Sequence, residues 1–329
     1  MASSHFGGCA LVGKLRSIEI CAGAGGQALG LEQAGFAHLA LIELDPEACQ
    51  TLRNNRPAWN TLQWDLHTFS AEGFRGQVDL FAGGVPCPPF SVASKQLGAG
   101  DERDLFPRAL DLVEQCEPKA VMLENVRGLL DPKFEGYRQG VLKRLSALGF
   151  EGEWKLLNAS GFGVPQLRPR ALLVGLRPEY YRFFSWPDEL ACKPTTVGEA
   201  LYKEMAADGW EGACEWAKGA GSIAPTIVGG SKKHGGPDLG PTRAKMAWAK
   251  LGVNAHSIAE DRPQKGFVGM PRLTVRMAAM IQGFDPDEWE FAGKKTSAYR
   301  QVGNAFPPPV AQAVGAAIVR ALKTAKGKA

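Results

Sequence analysis

Leu15-Arg-Ser-Ile-Glu-Ile-Cys-Ala-Gly-Ala-Gly-Gly-Gln-Ala-Leu-Gly-Leu-Glu-Gln-Ala-Gly35 decides the fold. Leu15 to Cys21 reads as a strand, and Ala22 to Gly26 follows at once as a glycine-rich turn. Gln27 to Ala34 has helical character and stops at Gly35, a residue suited to the left-handed position after a helix. A strand that turns on glycines into a helix opens an α/β domain, and the glycines let a ligand approach the backbone. Outward from this unit the pattern repeats. His38 to Ile42 is a strand ending in Glu43, and Pro46 starts a helix that runs through Asn54. Thr61 to Trp64 is a short strand ending in Asp65, and Val78 to Ala82 is the next. Leu105 to Glu114 is helical, Lys119 to Glu124 a strand, and Phe134 to Leu148 helical. Trp154 to Leu157 and Ala171 to Gly175 are later strands. This alternation predicts a doubly wound, mostly parallel, Rossmann-like sheet with helices on both faces.

From about Tyr181 the alternation stops. Residues 181–271 are rich in Gly, Pro, Trp and charge, and read as a second, smaller domain with uncertain strands. Patterning returns at Pro271: Thr274 to Ile281 reads as a short helix and Pro307 to Lys323 as a terminal one. The domains are therefore expected at 1–180 and 181–271, with 272–329 returning to complete the first.

At 329 residues, with 45% hydrophobic and 22% charged residues, the chain has an ordinary globular composition. No apolar run approaches the ~18–20 residues of a membrane span. Met1 to Lys14 lacks the pattern of a secretory signal, and residues 2–14 are expected to fray. The seven cysteines are scattered, with no Cys-x-x-Cys pair and no zinc spacing, which predicts a reduced, cytoplasmic protein without structural metal. The net charge is only +4, but residues 222–276 carry nine Lys and Arg against three acids. With its glycines, this segment reads as a basic surface that follows a phosphate backbone, or as a solvated charged face.

Four features carry chemistry. The first is Val78-Asp-Leu-Phe-Ala-Gly-Gly-Val-Pro-Cys-Pro-Pro-Phe-Ser91, a strand that runs into Gly83-Gly84 and then Cys87 between prolines. Prolines on both sides place the thiol on a stiff turn beyond the strand end, where open α/β sheets carry their sites. Alone, the stretch fits a packed structural cysteine as well as a reactive one. The second is the pair Glu43 and Asp65, which end successive strands after the glycine turn. One suits ribose hydroxyls and the other an adenine amino group, so an adenosine-containing cofactor is expected. The spacing is not G-x-G-x-x-G, which disfavours nicotinamide, and no phosphate-loop motif occurs in the turn. The third is Glu124-Asn125, at the end of the strand after that of Cys87. Neighbouring strands lie ~4.8 Å apart, so Glu124 and Cys87 can share one crevice, although Glu124 alone fits better as a surface residue that caps the following segment. The fourth is Gln166-Leu-Arg168-Pro-Arg170, where alternation predicts one shared face able to bind phosphate or a carbonyl oxygen while bracing a loop; taken alone, the pair fits a solvated basic edge better.

Together these motifs resemble the DNA (cytosine-5) methyltransferase family, in the family's order and over nearly the whole chain. Ala22 to Gly26 resembles its S-adenosylmethionine loop, and Gly83 to Ser91 its nucleophile motif. Glu124-Asn-Val126 and Gln166-x-Arg168-x-Arg170 match two further motifs. Arg272 to Arg276 through Phe284 resembles the segment after target recognition, and Gly303-Asn-Ala-Phe-Pro-Pro308 the closing motif. The sequence departs at Pro88, where Gln is usual; at Glu19 and Cys21, for Asp and Phe; and at Met277, for a frequent Glu.

The resemblance implies a prokaryotic restriction–modification enzyme, since no regulatory domain is attached. It would act in the bacterial cytoplasm as a monomer on duplex DNA, without metal. Residues 181–271 would recognise the target. It implies Cys87 as covalent nucleophile, Glu124 as the acid, and Arg170 with Arg168 at the ring carbonyl or bracing the Cys87 loop. S-adenosylmethionine would meet Cys21, Ala22, Gly23, Gly25, Gly26, Glu43, Leu44, Asp65, Leu66, Pro86, Asn304 and Ala305. Val92 to Asp104 would be a mobile loop that closes over a flipped base. Ser91, Lys95, Arg103, Lys232, Lys233, Arg243 and Lys245 would touch DNA. The alternatives are the same chemistry on tRNA, a silent DNA-binding protein, and a nicotinamide enzyme. The last leaves Cys87, Glu124 and the arginines unexplained.

Overall fold

The structure, a computed structural model, describes residues 13–86, 104–191, 193–230 and 236–327. Each strand expected between Leu15 and Gly175 is present. They are β1 (Leu15–Ile20), β2 (Phe36–Glu43), β3 (Thr61–Gln63), β4 (Leu80–Gly84), β5 (Ala120–Val126), β6 (Glu151–Asn158) and β7 (Pro169–Leu176). The helices are α1 (Gly26–Ala34), α2 (Pro46–Asn55), α3 (Phe106–Cys116), α4 (Glu135–Ala147), α5 (Pro178–Tyr181), α6 (Val197–Ala206), α7 (Ala213–Gly219), α8 (Thr242–Lys250), α9 (Val275–Gln282), α10 (Lys295–Asn304) and α11 (Pro308–Lys326).

The strands form one sheet in the order β3-β2-β1-β4-β5-β7-β6. The first five in that order are parallel, and β7 runs antiparallel to both β5 and β6. The chain steps outward one way through β1, β2 and β3, then the other way through β4 and β5. Connections therefore diverge between β1 and β4, and a crevice opens at the carboxyl ends of those strands.

Alternation along the strands supplies two cores. Ile18, Ile20, Phe81, Val121 and Leu123 pack with Phe106 and Leu110 of α3 and Leu145 of α4. Leu80, Met122, Leu172 and Val174 pack on the opposite face with Leu31 of α1 and Val310, Val314 and Ile318 of α11. Each fully buried Leu, Ile or Phe contributes about 1.5–3 kcal/mol. The approach of α11 to α1 is close enough to demand glycine. A methyl group on Gly26 would collide with the Phe306 carbonyl, and one on Gly30 with Pro308 and Ala311. The returning C-terminal segment is thus seated on the glycine turn itself.

Between 181 and 271 the described residues hold helices and isolated bridges, and no strand of the kind expected there. Thr196 and Glu199 cap α6 reciprocally. Trp216, Trp248 and Leu201 belong to a hydrophobic cluster that continues into Ile281 of α9, Val302 of α10, and Ala28 and Leu52 beside the sheet. Tyr181, Phe184 and Trp186 pack against the α11 core. Thr274 caps α9 by accepting from the Met277 amide at 3.2 Å. Met277 sits where a Glu would complete a reciprocal cap; its side chain is instead fully buried in the shared cluster.

Candidate functional site

The crevice encloses about 490 Å³. Its floor is the exit of β1. Cys21 leaves the strand with φ 49, and Gly23 and Gly25 follow with φ 54 and 87. A left-handed cysteine is uncommon, and the turn holds it there. Gly23 N donates to Glu43 Oε2 at 2.7 Å, while Glu43 Oε1 accepts from the amides of Leu44 at 2.8 Å and Asp45 at 2.7 Å. One carboxylate therefore ties the glycine turn to the exit of β2 and sets both in place. Asp65 Oδ1 accepts from His67 N at 2.9 Å and turns the chain after β3. Cys21, Ala22, Gly23, Gly26, Glu43, Leu44, Asp65, Leu66, Pro86, Asn304 and Ala305 all line the crevice. Gly25 is absent from the lining. It is the left-handed residue before α1, and a side chain there would strike Leu52 and Trp289, so packing explains it.

The lining residues that the sequence does not assign to the cofactor include the buried, polar Glu19 and Gln27. Glu19 is 1% exposed and Gln27 is 3% exposed. Both face the crevice. Glu19 Oε2 and both amide atoms of Gln27 have no hydrogen-bond partner. Burial, then the neighbouring Glu43, pushes the Glu19 carboxyl well above the usual range. Buried polar atoms normally have partners, so these mark where a polar ligand would complete the site. The amino-acid end of S-adenosylmethionine has the chemistry to fit them. The signal in the sequence was an acidic residue flanked by Ile18 and Ile20 at the end of β1 and a polar residue in the first turn of α1.

The far end of the crevice is built by β4 and β5. Their register pairs Gly84 with Glu124, whose side chain lines the crevice. Glu124 Oε1 lies 2.8 Å from Arg170 Nε, and both side chains are largely buried. Burial raises the Glu124 pKa, while the Arg170 and Arg168 charges pull it down. Asn125 Nδ2 donates to the Val85 carbonyl at 2.9 Å, and Val85 N donates to the Glu124 carbonyl at 3.2 Å. The chain leading to Cys87 is thereby held two residues before the thiol. Cys87, Ser91, Lys95, Arg103, Lys232 and Lys233, with nearly all of the expected Val92–Asp104 loop, lie outside the described residues. Asp104, at the end of that loop, accepts from the Tyr137 hydroxyl.

Arg168 does not join Arg170 in reaching Glu124. It is 1% exposed. Its Nη1 donates to the Ile227 carbonyl at 2.7 Å, and its Nη2 to the carbonyls of Gly303 at 2.7 Å and Ala305 at 3.0 Å. Gln166 works beside it, donating to Gln282 Oε1 at 2.7 Å and accepting from Ile227 N at 2.8 Å. These two residues clamp the start of β7 to the 227 segment, α9 and the closing motif, so Arg168 braces the site from behind. An Arg168→Met protein is expected to lose about 3 kcal/mol or more, because three buried carbonyls lose their donor. Urea denaturation measures this, and an unchanged midpoint would refute the bracing role. Of the cations expected on DNA, Arg243 is exposed on α8, whereas Lys245 is paired with Asp238 Oδ2 at 2.8 Å.

An α/β sheet with its crevice at the switch point, lined by two strand-end acids, belongs to the class of enzymes that hold a nucleoside cofactor beyond their strand ends. The sequence matches the C-5 cytosine-specific DNA methylases over residues 15–320, and the chain belongs to that family. It is 56% identical to the type II methyltransferase M.NgoMIV of Neisseria gonorrhoeae, across 93% of this chain and 98% of that one. It is 58% identical to M.NaeI of Lentzea aerocolonigenes, across 94% of this chain and 75% of the relative. Among solved structures, DNMT2 of Spodoptera frugiperda shares the fold at a TM-score of 0.64 and 17% identity, covering 93% of this chain and 99% of its own. Among the described residues no His, Cys, Asp or Glu group could hold a metal, and no helix is long and apolar enough to cross a membrane.

Proposed function

We propose that the chain methylates carbon 5 of a cytosine flipped out of a specific duplex DNA sequence, through a covalent adduct on Cys87. The carrying observation is the buried Glu124–Arg170 pair, set by strand register beside Gly84 and three residues before the thiol. Carbon 5 of cytosine is a weak nucleophile. The Cys87 thiolate adds to carbon 6, and the ring nitrogen 3 takes a proton held by Glu124, which leaves an electron-rich carbon 5. Arg170 orients that carboxyl through its Nε. When bound, S-adenosylmethionine supplies the electrophilic methyl group. Loss of the carbon 5 proton to a base then expels Cys87, and nitrogen 3 returns its proton to Glu124. The crevice residues Glu43 and Asp65 would hold ribose and adenine, with Glu19 and Gln27 at the amino-acid end.

Flipping the base costs a few kcal/mol, drawn from protein–DNA contacts. Residues 181–271 would supply target recognition, with the basic side chains of 222–276 on phosphates. Residues 1–180 and 272–329 would form the catalytic part. The protein would work as a monomer in the bacterial cytoplasm, without metal. The test is a duplex library containing 5-fluorocytosine, incubated with S-adenosylmethionine, alongside bisulfite sequencing of methylated genomic DNA. An adduct that survives detergent and methylation at one short sequence are expected. Label entering tRNA but not DNA would sink the reading.

A further inference from the structure

Trp64 is a large apolar side chain left 50% exposed. It is also part of the crevice lining. Its placement is fixed from three sides. Its backbone amide donates to the Glu43 carbonyl at 3.0 Å. Its Nε1 donates to Thr68 Oγ1 at 3.1 Å. Its ring stands edge-on to the buried Phe69, with centroids 6.3 Å apart. An indole anchored in this way has lost its freedom without gaining cover, which leaves a rigid flat face for a ligand. Asp65 is the next residue and Glu43 is its hydrogen-bonded neighbour, so the ring stands among the groups suited to adenosine.

The other exposed ring in the described lining, the imidazole of His67, is much smaller than an indole. Phe306 is buried, and the exit of β1 carries the small Cys21. Leu44, after Glu43, is exposed but aliphatic. A nucleobase resting in the crevice meets one large exposed aromatic ring among the described residues, and it comes from β3.

We propose that Trp64 forms the stacking wall for the adenine of the cofactor, so that adenine recognition rests on the exit of β3 rather than on that of β1. This rests on the reading of the crevice as the S-adenosylmethionine site. Trp64 is a positioning residue for the base, with Asp65 at its edge.

The probe is S-adenosylhomocysteine, titrated by calorimetry into the full chain. Wild type should bind. Trp64→Leu should bind about tenfold or more weakly, as expected for loss of a base–aromatic stack, and Trp64→Phe should stay within a few-fold of wild type. The emission difference between wild type and Trp64→Phe isolates the Trp64 signal, and it should be quenched at saturation. This second measurement stands even if the leucine variant folds poorly. Wild-type affinity in Trp64→Leu, or an unquenched Trp64 signal, overturns the inference while leaving the methyltransferase reading intact. Failure of wild type to bind S-adenosylhomocysteine defeats that reading instead.

Discussion

A Cys87→Ala chain is expected to transfer no methyl group and to form no adduct with 5-fluorocytosine DNA. Binding of S-adenosylhomocysteine should persist. Without addition at carbon 6, carbon 5 has no means of attacking the methyl group, so the loss is complete rather than partial. No described thiol can take over. Cys21 lines the same crevice, but burial, followed by the charges of Glu43 and Glu19, pushes its pKa far up and keeps it protonated. The crevice should survive the substitution because Asn125 and Glu124 hold Val85, ahead of residue 87. Turnover of tritiated cofactor by the variant above background would remove Cys87 from the mechanism.

Glu124→Gln should lower methyl transfer by about 10²–10⁴, the usual weight of general acid catalysis. Glutamine keeps the shape and can still hydrogen-bond, so what is lost is the proton. The pH profile separates these effects. Burial raises the Glu124 pKa, and Arg170 opposes it. The protonated form is present below that raised pKa and disappears as pH rises through it. Wild-type turnover should therefore fall on the alkaline side of the Glu124 titration, and the variant should lack that limb. An identical limb in both proteins would assign it to another group.

The order of strands and helices was legible because apolar runs between Gly and Pro report where elements begin and end. Direction was not. The pattern of Ala171 to Gly175 marks a strand but cannot say that β7 lies reversed between β5 and β6. The helix α10 went unseen because its buried face includes Ser297 and Gln301, which look solvated in sequence. Residues 181–271 carry helices whose apolar side chains face a shared cluster rather than a core of their own, which blurs any local period.

At the site, the acids at strand ends were legible because strand ends converge in this fold. Depth was not. Alternation placed Arg168 and Arg170 on one face, but only packing shows that Arg168 reaches back to the closing motif while Arg170 turns to Glu124. Gly25 follows the same lesson, since a glycine beside a ligand loop and a glycine under Trp289 look alike in sequence.

The seating of Phe306 and Pro308 on Gly26 and Gly30 joins residues from nearly opposite ends of the chain. Asn304 and Ala305, immediately before them, form part of the crevice wall. The site therefore has no complete precursor on the ribosome. A growing chain can form β1, its glycine turn and α1 early, but the wall contributed by 304 and 305 arrives only once α10 has been made. Contacts of such long range form late and slowly. Newly made protein thus gains its completed cofactor site only after residues 304 and 305 have been made and seated, which ties the onset of cofactor binding to that step.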